Sequence, residues 1–419
     1  MIRKIKAFIS DDTQHGRGMK NSVVLLIRNA FFGSSLVFGS NALLQTFLSQ
    51  RGVDDMHIGM LGSAASITHV VITFLLMGFC DRFVRPMRLV RYGVIFQAVL
   101  PATVVILIFS QFSNTDFLFY IVLFASIAQA IFGGARNLVE TKVFAHMVPA
   151  SWLGHLLGAD GMATGFFAVI ASLITVALTH SIPPPFNIAV LFMISLVFML
   201  TSGGLTGGIR LIDYHPASGN SASPLRAIGK LIKMAEFNRL IIPNILRGIT
   251  IGVALMIMPI GIFRLGMTLK DAAYVVTAGT VANIAGSAAF TLLIKKLKSQ
   301  YIALLGNTLG IAGLAVMTFS GTIPLFVFGA FLLLFGKEWV DRVVPLGVYE
   351  IVPSEVMGAY SAGRMILMFA SMALSQFAIG FLIGRVEIFL ILGGIAAAQL
   401  TSGVLFMIYF KKFKAARAT

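Results

Sequence analysis

The sequence predicts an all-α integral membrane protein, with twelve transmembrane helices arranged as two pseudo-symmetric six-helix bundles. The chain is 58% hydrophobic and only 11% charged, whereas a soluble domain carries roughly 25% charged residues. Its apolar runs are continuous and about 20 residues long, the length a helix needs to cross roughly 30 Å of hydrocarbon. They lack the two-residue alternation of a membrane β-barrel. Inside a bilayer every backbone polar group needs an internal partner, so continuous runs of this length read as helices.

The spans fall at 22–49, 56–79, 88–111, 117–139, 156–180, 185–208, 238–263, 270–294, 300–319, 322–344, 358–383 and 386–410, numbered 1 to 12 below. Charge marks the junctions. Lys and Arg gather at both ends of the chain and at alternate junctions: Arg82, Arg85, Arg88 and Arg91 between spans 2 and 3, Lys142 after span 4, Arg210 to Arg239 between spans 6 and 7, and Lys295, Lys296 and Lys298 after span 8. The other junctions hold only Arg51, Arg264, Lys270 and Arg385. That asymmetry places both termini in the cytoplasm, with the cell (inner) membrane as the setting. The N-terminus is basic and polar as far as Lys20, and the first apolar run is too long for a cleavable signal.

The net charge of +16 does not indicate nucleic acid, because the basic residues are spread over short loops and form no single patch. The single cysteine, Cys80, excludes a disulfide framework. No cofactor or metal ligand set is expected. An intramembrane enzyme would need converging catalytic groups, and neither His-Glu-x-x-His nor Gly-x-Ser-x-Gly occurs.

The longest interior break divides the chain into a bundle at 1–208, a linker at 209–237 and a bundle at 238–419. Pro216 to Pro224 is rich in Ser, Gly and Asn and reads as flexible. The following segment spaces Leu225, Ile228, Leu231 and Ile232 against Arg226, Lys230 and Lys233, which fits a helix lying in the cytoplasmic interface. The halves echo each other. Val148-Pro149 with Gly154 recurs as Val352-Pro353 with Gly358, and Gly52 matches Gly266 at the outer turns. Parallel repeats place a substrate near the midplane, between the halves.

The junction after span 2 reads MGFCDRFVRPMRL. It resembles the helix 2–3 loop of the major facilitator superfamily, a signature written G-x-x-x-D-R-x-G-R-R. Asp81, Arg82 and Arg85 fall on its Asp and two of its Arg positions, while Met77, Val84 and Pro86 depart from it. With twelve spans, a central linker and a repeat, the resemblance covers nearly the whole chain. It implies a secondary transporter working by alternating access, with helices 1, 4, 7 and 10 lining the cavity, helix 2 against helix 11, and helix 5 against helix 8. Span 5 has no proline, which reads against the drug-antiporter branch.

Some charges lie within spans, where they need a cavity or a partner. Arg136 with Glu140, Lys337 with Asp341, and Glu338 with Arg342 are four apart and can pair on a helix face. They are either self-neutralised pairs or a charged cavity lining. The repeat offsets set Asp81 against Lys295 and Asp160 against Arg364, with the sign exchanged. Given the resemblance, Asp81–Arg364 and Asp160–Lys295 are candidate gate pairs; alternatively each charge only caps its helix. LLIRNAFFG in span 1 and NILRGITIG in span 7 look alike and set Arg28 against Arg247. Two guanidiniums across a two-fold axis suit a carboxylate or phosphate, and organophosphate transporters of the resembled family are similar in this respect. The alternative is a pair of snorkelling arginines.

Mid-span polar groups are few: His69, matched by Asn283 in the second half, and Asn41, Gln45, Gln129 and Gln376. Each is a candidate for substrate contact or an interhelical hydrogen bond. His69, then Glu140, are candidates for proton coupling. The expected solute is small and anionic or zwitterionic, moved by a monomer in contact with lipid, with symport as one outcome and facilitated diffusion as another. The rival reading is a lipid or amphiphile flippase on the same fold.

Overall fold

The computed structural model describes residues 14–77, 83–110, 114–143, 146–147, 153–212, 214, 229, 231–294, 296–351 and 357–418. In the first half, span 1 is α1 (Gln14–Phe38) and α2 (Asn41–Gln50), span 2 is α3 (Asp55–Leu76), and span 3 is α4 (Pro86–Gln97) and α5 (Val99–Phe109). Spans 4 to 6 are α6 (Thr115–Val143), α7 (Leu153–Ser181) and α8 (Phe186–Thr206). In the second half, span 7 is α9 (Ala235–Leu255) and α10 (Ile257–Leu265), followed by α11 (Leu269–Leu293), α12 (Ser299–Phe319), α13 (Ile323–Ile351), α14 (Met357–Leu382) and α15 (Ile388–Ala418). Among the described residues eleven helices are long and apolar enough to cross a membrane, and the bent pair α9–α10, taken as one span, makes twelve.

Three spans are broken, each for a local reason. A proline cannot donate to the carbonyl four residues earlier. Pro101 leaves the Gln97 carbonyl without that donor, and span 3 breaks at Ala98. Pro259 does the same to Leu255, and α9 and α10 meet at 51°. Span 1 breaks at Gly39 and Ser40, where α1 crosses α8 closely. A Cβ on Gly39 would lie 2.7 Å from the Ser195 hydroxyl, which donates to the Ser35 carbonyl at 2.8 Å.

The packing repeats between halves. α1 packs on α7 and α8 as α9 packs on α14 and α15, α3 on α6 as α11 on α13, and α4 on α6 as α12 on α13. The matched turns after spans 1 and 7 both hold a left-handed glycine, Gly52 at φ 85° and Gly266 at φ 63°, a conformation open to glycine without penalty. Across the halves, α3 packs on α14 and α7 on α11, the span 2–11 and 5–8 neighbours that the resemblance implies. Val148, Pro149, Val352 and Pro353 lie outside the described residues, as do 224–228 and 230 of the interfacial-helix segment; of its described apolar residues, Leu231 is buried and Ile232 is exposed.

The two faces of the bundle differ. The Lys/Arg-rich junctions emerge on one, called here the basic face. On the opposite face one apolar cluster includes residues of both halves, among them Phe47, Ile58, Met256, Leu269 and Ile379. On the basic face the clusters are separate: Leu25, Val143 and Ile209 belong to the first half, and Leu240, Phe290 and Val343 to the second. The halves therefore meet at the opposite face and part towards the basic face.

Candidate substrate site between the halves

The in-span charges assemble into two equivalent groups, one in each half. In the first, Arg28 of α1 reaches Glu140 of α6 at 2.5 Å, and Arg136, one turn earlier on α6, approaches the other carboxylate oxygen at 3.6 Å. Arg136 also donates to Asn137 and lies over the Phe32 ring, 4.2 Å from its centroid. In the second, Arg247 of α9 pairs with Asp341 of α13, and Lys337, one turn earlier on α13, holds the other oxygen at 2.7 Å.

Each carboxylate thus faces two cations, one from its own helix and one from span 1 or span 7; in the first half Asp160 also lies within electrostatic reach of Arg28. The side chains of Arg28 and Arg247 are only 3% and 8% exposed. In each, Nε and Nη1 are buried without a hydrogen-bond partner among the described residues. An unsatisfied buried donor of this kind is costly, and more so on a charged group.

The helix-face pairs expected from spacing are present, and Arg342 with Glu338 closes at 2.6 Å. Ser287 of α11 also donates to Glu338 at 3.2 Å. Arg28 and Arg247, matched across the repeat, each hold a carboxylate of their own half. Sequence spacing shows the i,i+4 partner on one helix, but not that a second helix brings its own cation to the same oxygen pair.

The remaining candidates divide by location. Gln45 and Gln376 are buried at the seam between halves, towards the opposite face. Gln45 donates to the Leu255 carbonyl at 2.9 Å, the carbonyl that Pro259 deprives of its helical donor. Gln376 accepts from Ser66 at 2.9 Å, and Ser63 donates to the Ala373 carbonyl. Beside them α3 and α14 touch through glycine: a Cβ on Gly59 would lie 2.7 Å from the Gln376 carbonyl oxygen, and one on Gly380 2.6 Å from that of Asp55. Both glutamines, expected as substrate or interhelical contacts, here join the halves.

His69 is half-buried and stacks on Phe369 of α14, with centroids 5.0 Å apart and planes 16° apart. Its Nδ1 sits 3.0 Å from where a Cβ on Gly134 would be, so a side chain at that position would crowd the imidazole. Gln129 is half-buried on α6, while Asn41 and Asn283 are exposed. Asp160 accepts from Asn29 at 2.9 Å, next in sequence to Arg28. Arg364 is half-buried on α14 and Arg85 is exposed. Asp81, Arg82 and Lys295 lie outside the described residues.

Sequence reasoning passed over Asn29, Ser63, Ser66 and the Gly59–Gly380 contact. A signal existed for Gln45: a buried amide and a proline-freed carbonyl on matching spans need each other.

A family profile described as the Major Facilitator Superfamily matches residues 29–363. No curated protein sequence matches the chain. Among solved structures, the chain is similar to a D-xylose-proton symporter, at 15% identity, 94% of this chain, 97% of that one and a TM-score of 0.67. It is similar to the inward-open xylose transporter XylE from E. coli at 13% identity, 94% and 95% coverage and a TM-score of 0.68. It is also similar to the nucleoside transporter NupG at 13% identity, 94% and 99% coverage and a TM-score of 0.61.

Proposed function

We propose that this chain, a member of the Major Facilitator Superfamily, is a secondary transporter whose solute is a small organic anion or zwitterion bound between the halves. One observation carries this reading: in each half two cations face one carboxylate, with buried guanidinium N–H groups left to donate. A carboxylate or phosphate entering between the halves finds forked guanidinium donors on both sides.

Glu140 and Asp341 occupy the arginines in the absence of solute and compete with it. A solute anion that takes Arg28 displaces Glu140 from its nearest counter-charge. Glu140 then keeps only Arg136 as its counter-charge, and it is a candidate for a proton coupled to solute binding. The D-xylose-proton symporter among the similar structures is in keeping with such coupling. His69 is the other candidate for the coupled proton.

The positive-inside rule makes the basic face cytoplasmic, with both termini there and the protein in the cell (inner) membrane. The parting of the halves then opens the site to the cytoplasm. On closure of that face, the α3–α14 and α7–α11 neighbours bring Asp81 towards Arg364 and Asp160 towards Lys295, with Arg82 and Arg85 in the same junction. Wet ion pairs of this kind are worth little and break readily, as a transport cycle requires. The segment 209–237 links a bundle at 1–208 to one at 238–419.

Counterflow of labelled organic anions into proteoliposomes tests the proposal. Arg28→Ala and Arg247→Ala are expected to abolish exchange while the protein stays folded. Full exchange in both variants would dismiss the site, and lipid scrambling without anion exchange would favour a flippase.

A further inference from the structure

A second cationic cavity lies away from the site between the halves. It has a volume of about 530 Å³ and opens on the basic face, between the start of α4 and the end of α8. Arg85, Arg88 and Arg91 line it, and no acidic residue lines it among the described residues. All three arginines are exposed, and none forms an ion pair among the described residues. The wall is fixed by backbone. The Tyr214 hydroxyl donates to the Phe83 carbonyl at 3.1 Å, and Arg91 lies against Gly207, where a Cβ would be 3.2 Å from its Nη1. Three like charges in one cavity repel each other unless an anion joins them.

The surface below the cavity identifies the anion's other end. Tyr92 and Phe96 follow Arg88 at four-residue steps and so share its helix face. They are 51% and 49% exposed, with ring centroids 6.3 Å apart. This stripe belongs to a membrane span, so it meets hydrocarbon, and the cavity stands at its head-group end. A basic pocket beside membrane helices is a setting for lipid phosphate.

We propose that this cavity binds the phosphate head group of an anionic glycerophospholipid, with its acyl chains lying along Tyr92 and Phe96. The site takes no part in solute binding and is independent of the reading of Arg28 and Arg247. A free phosphate would meet the same arginines but gain nothing from the aromatic stripe.

The test uses the full-length protein, stripped of lipid in neutral detergent and titrated with mixed micelles of dioleoylphosphatidylcholine with or without dioleoylphosphatidylglycerol. Bound lipid is read by native mass spectrometry. The wild type is expected to retain phosphatidylglycerol in preference to phosphatidylcholine. At about 1 kcal/mol per basic residue near a membrane surface, Arg88→Ala/Arg91→Ala is expected to bind phosphatidylglycerol about thirtyfold more weakly. Arg88→Gln/Arg91→Gln keeps most of the side-chain bulk and is expected to show the same loss, which guards against a folding defect in the alanine pair. Inorganic phosphate is expected to leave lipid retention unchanged. Equal phosphatidylglycerol retention in wild type and the folded glutamine pair would overturn the proposal, as would displacement of the lipid by inorganic phosphate.

Discussion

Gly380→Ala would set a methyl carbon 2.6 Å from the Asp55 carbonyl oxygen and 2.9 Å from the Gly59 Cα. Both neighbours are backbone, so no flexible side chain can yield, and α3 and α14 must move apart. Overpacking of this kind costs about 1–3 kcal/mol. The cost falls only on the state in which the opposite face is sealed, because that is where the two glycines touch. The balance between states should therefore shift by about fivefold to over a hundredfold towards opening at that face. Spin labels at Asp116→Cys and Thr322→Cys, one in each half and both exposed on the opposite face, report this as growth of a longer distance after replacement of the single native Cys80. Gly393→Ala is the control, since nothing lies within 4 Å of a Cβ there. An unchanged distance distribution in a folded Gly380→Ala protein would refute the claim that this glycine contact holds the opposite face closed.

Gln45→Leu leaves the Leu255 carbonyl without its side-chain donor, at about 1–3 kcal/mol, and should move the same spin-label distribution in the same direction. Asn21→Ala should lower the melting temperature without changing solute selectivity. Asn21 donates to the Met147 and Arg210 carbonyls at 2.6 and 2.7 Å and accepts from the Arg210 amide at 3.1 Å, so at about 1 kcal/mol each the loss is about 3 kcal/mol. Gly134→Leu should lower transport by crowding His69, whose Nδ1 already stands 3.0 Å from the Cβ position, and proteoliposome uptake measures it.

The parts of the structure that depend on local order along one helix were legible in the sequence. Run length gives the spans, alternate Lys/Arg junctions give the basic face, and four-residue spacing gives Lys337–Asp341 and Arg342–Glu338. The parts that depend on which helix faces which were not. Glu140 was legible as a partner of Arg136, but its shorter contact, to Arg28, requires the register of α1 against α6. Gln45 and Gln376 were legible as buried amides in apolar spans, a setting that demands a hydrogen bond but does not say with what. Their partners are the proline-freed Leu255 carbonyl and the Ser66 hydroxyl, each in the other half of the chain. The gate pairs expected at Asp81 and Lys295 lie outside the described residues, and the α3–α14 and α7–α11 packing supplies only the neighbourhood in which they would form.

The central claim is that Arg28 and Arg247 receive the negative charge of the solute while Glu140 and Asp341 compete for them. Solute-induced thermal stabilisation, measured across a panel of organic anions and neutral sugars, tests it most directly. The account predicts an anion that stabilises the wild type, stabilises Glu140→Gln at lower concentration, and leaves Arg28→Ala and Arg247→Ala unmoved. A neutral solute that stabilises the wild type and both arginine variants equally would contradict it.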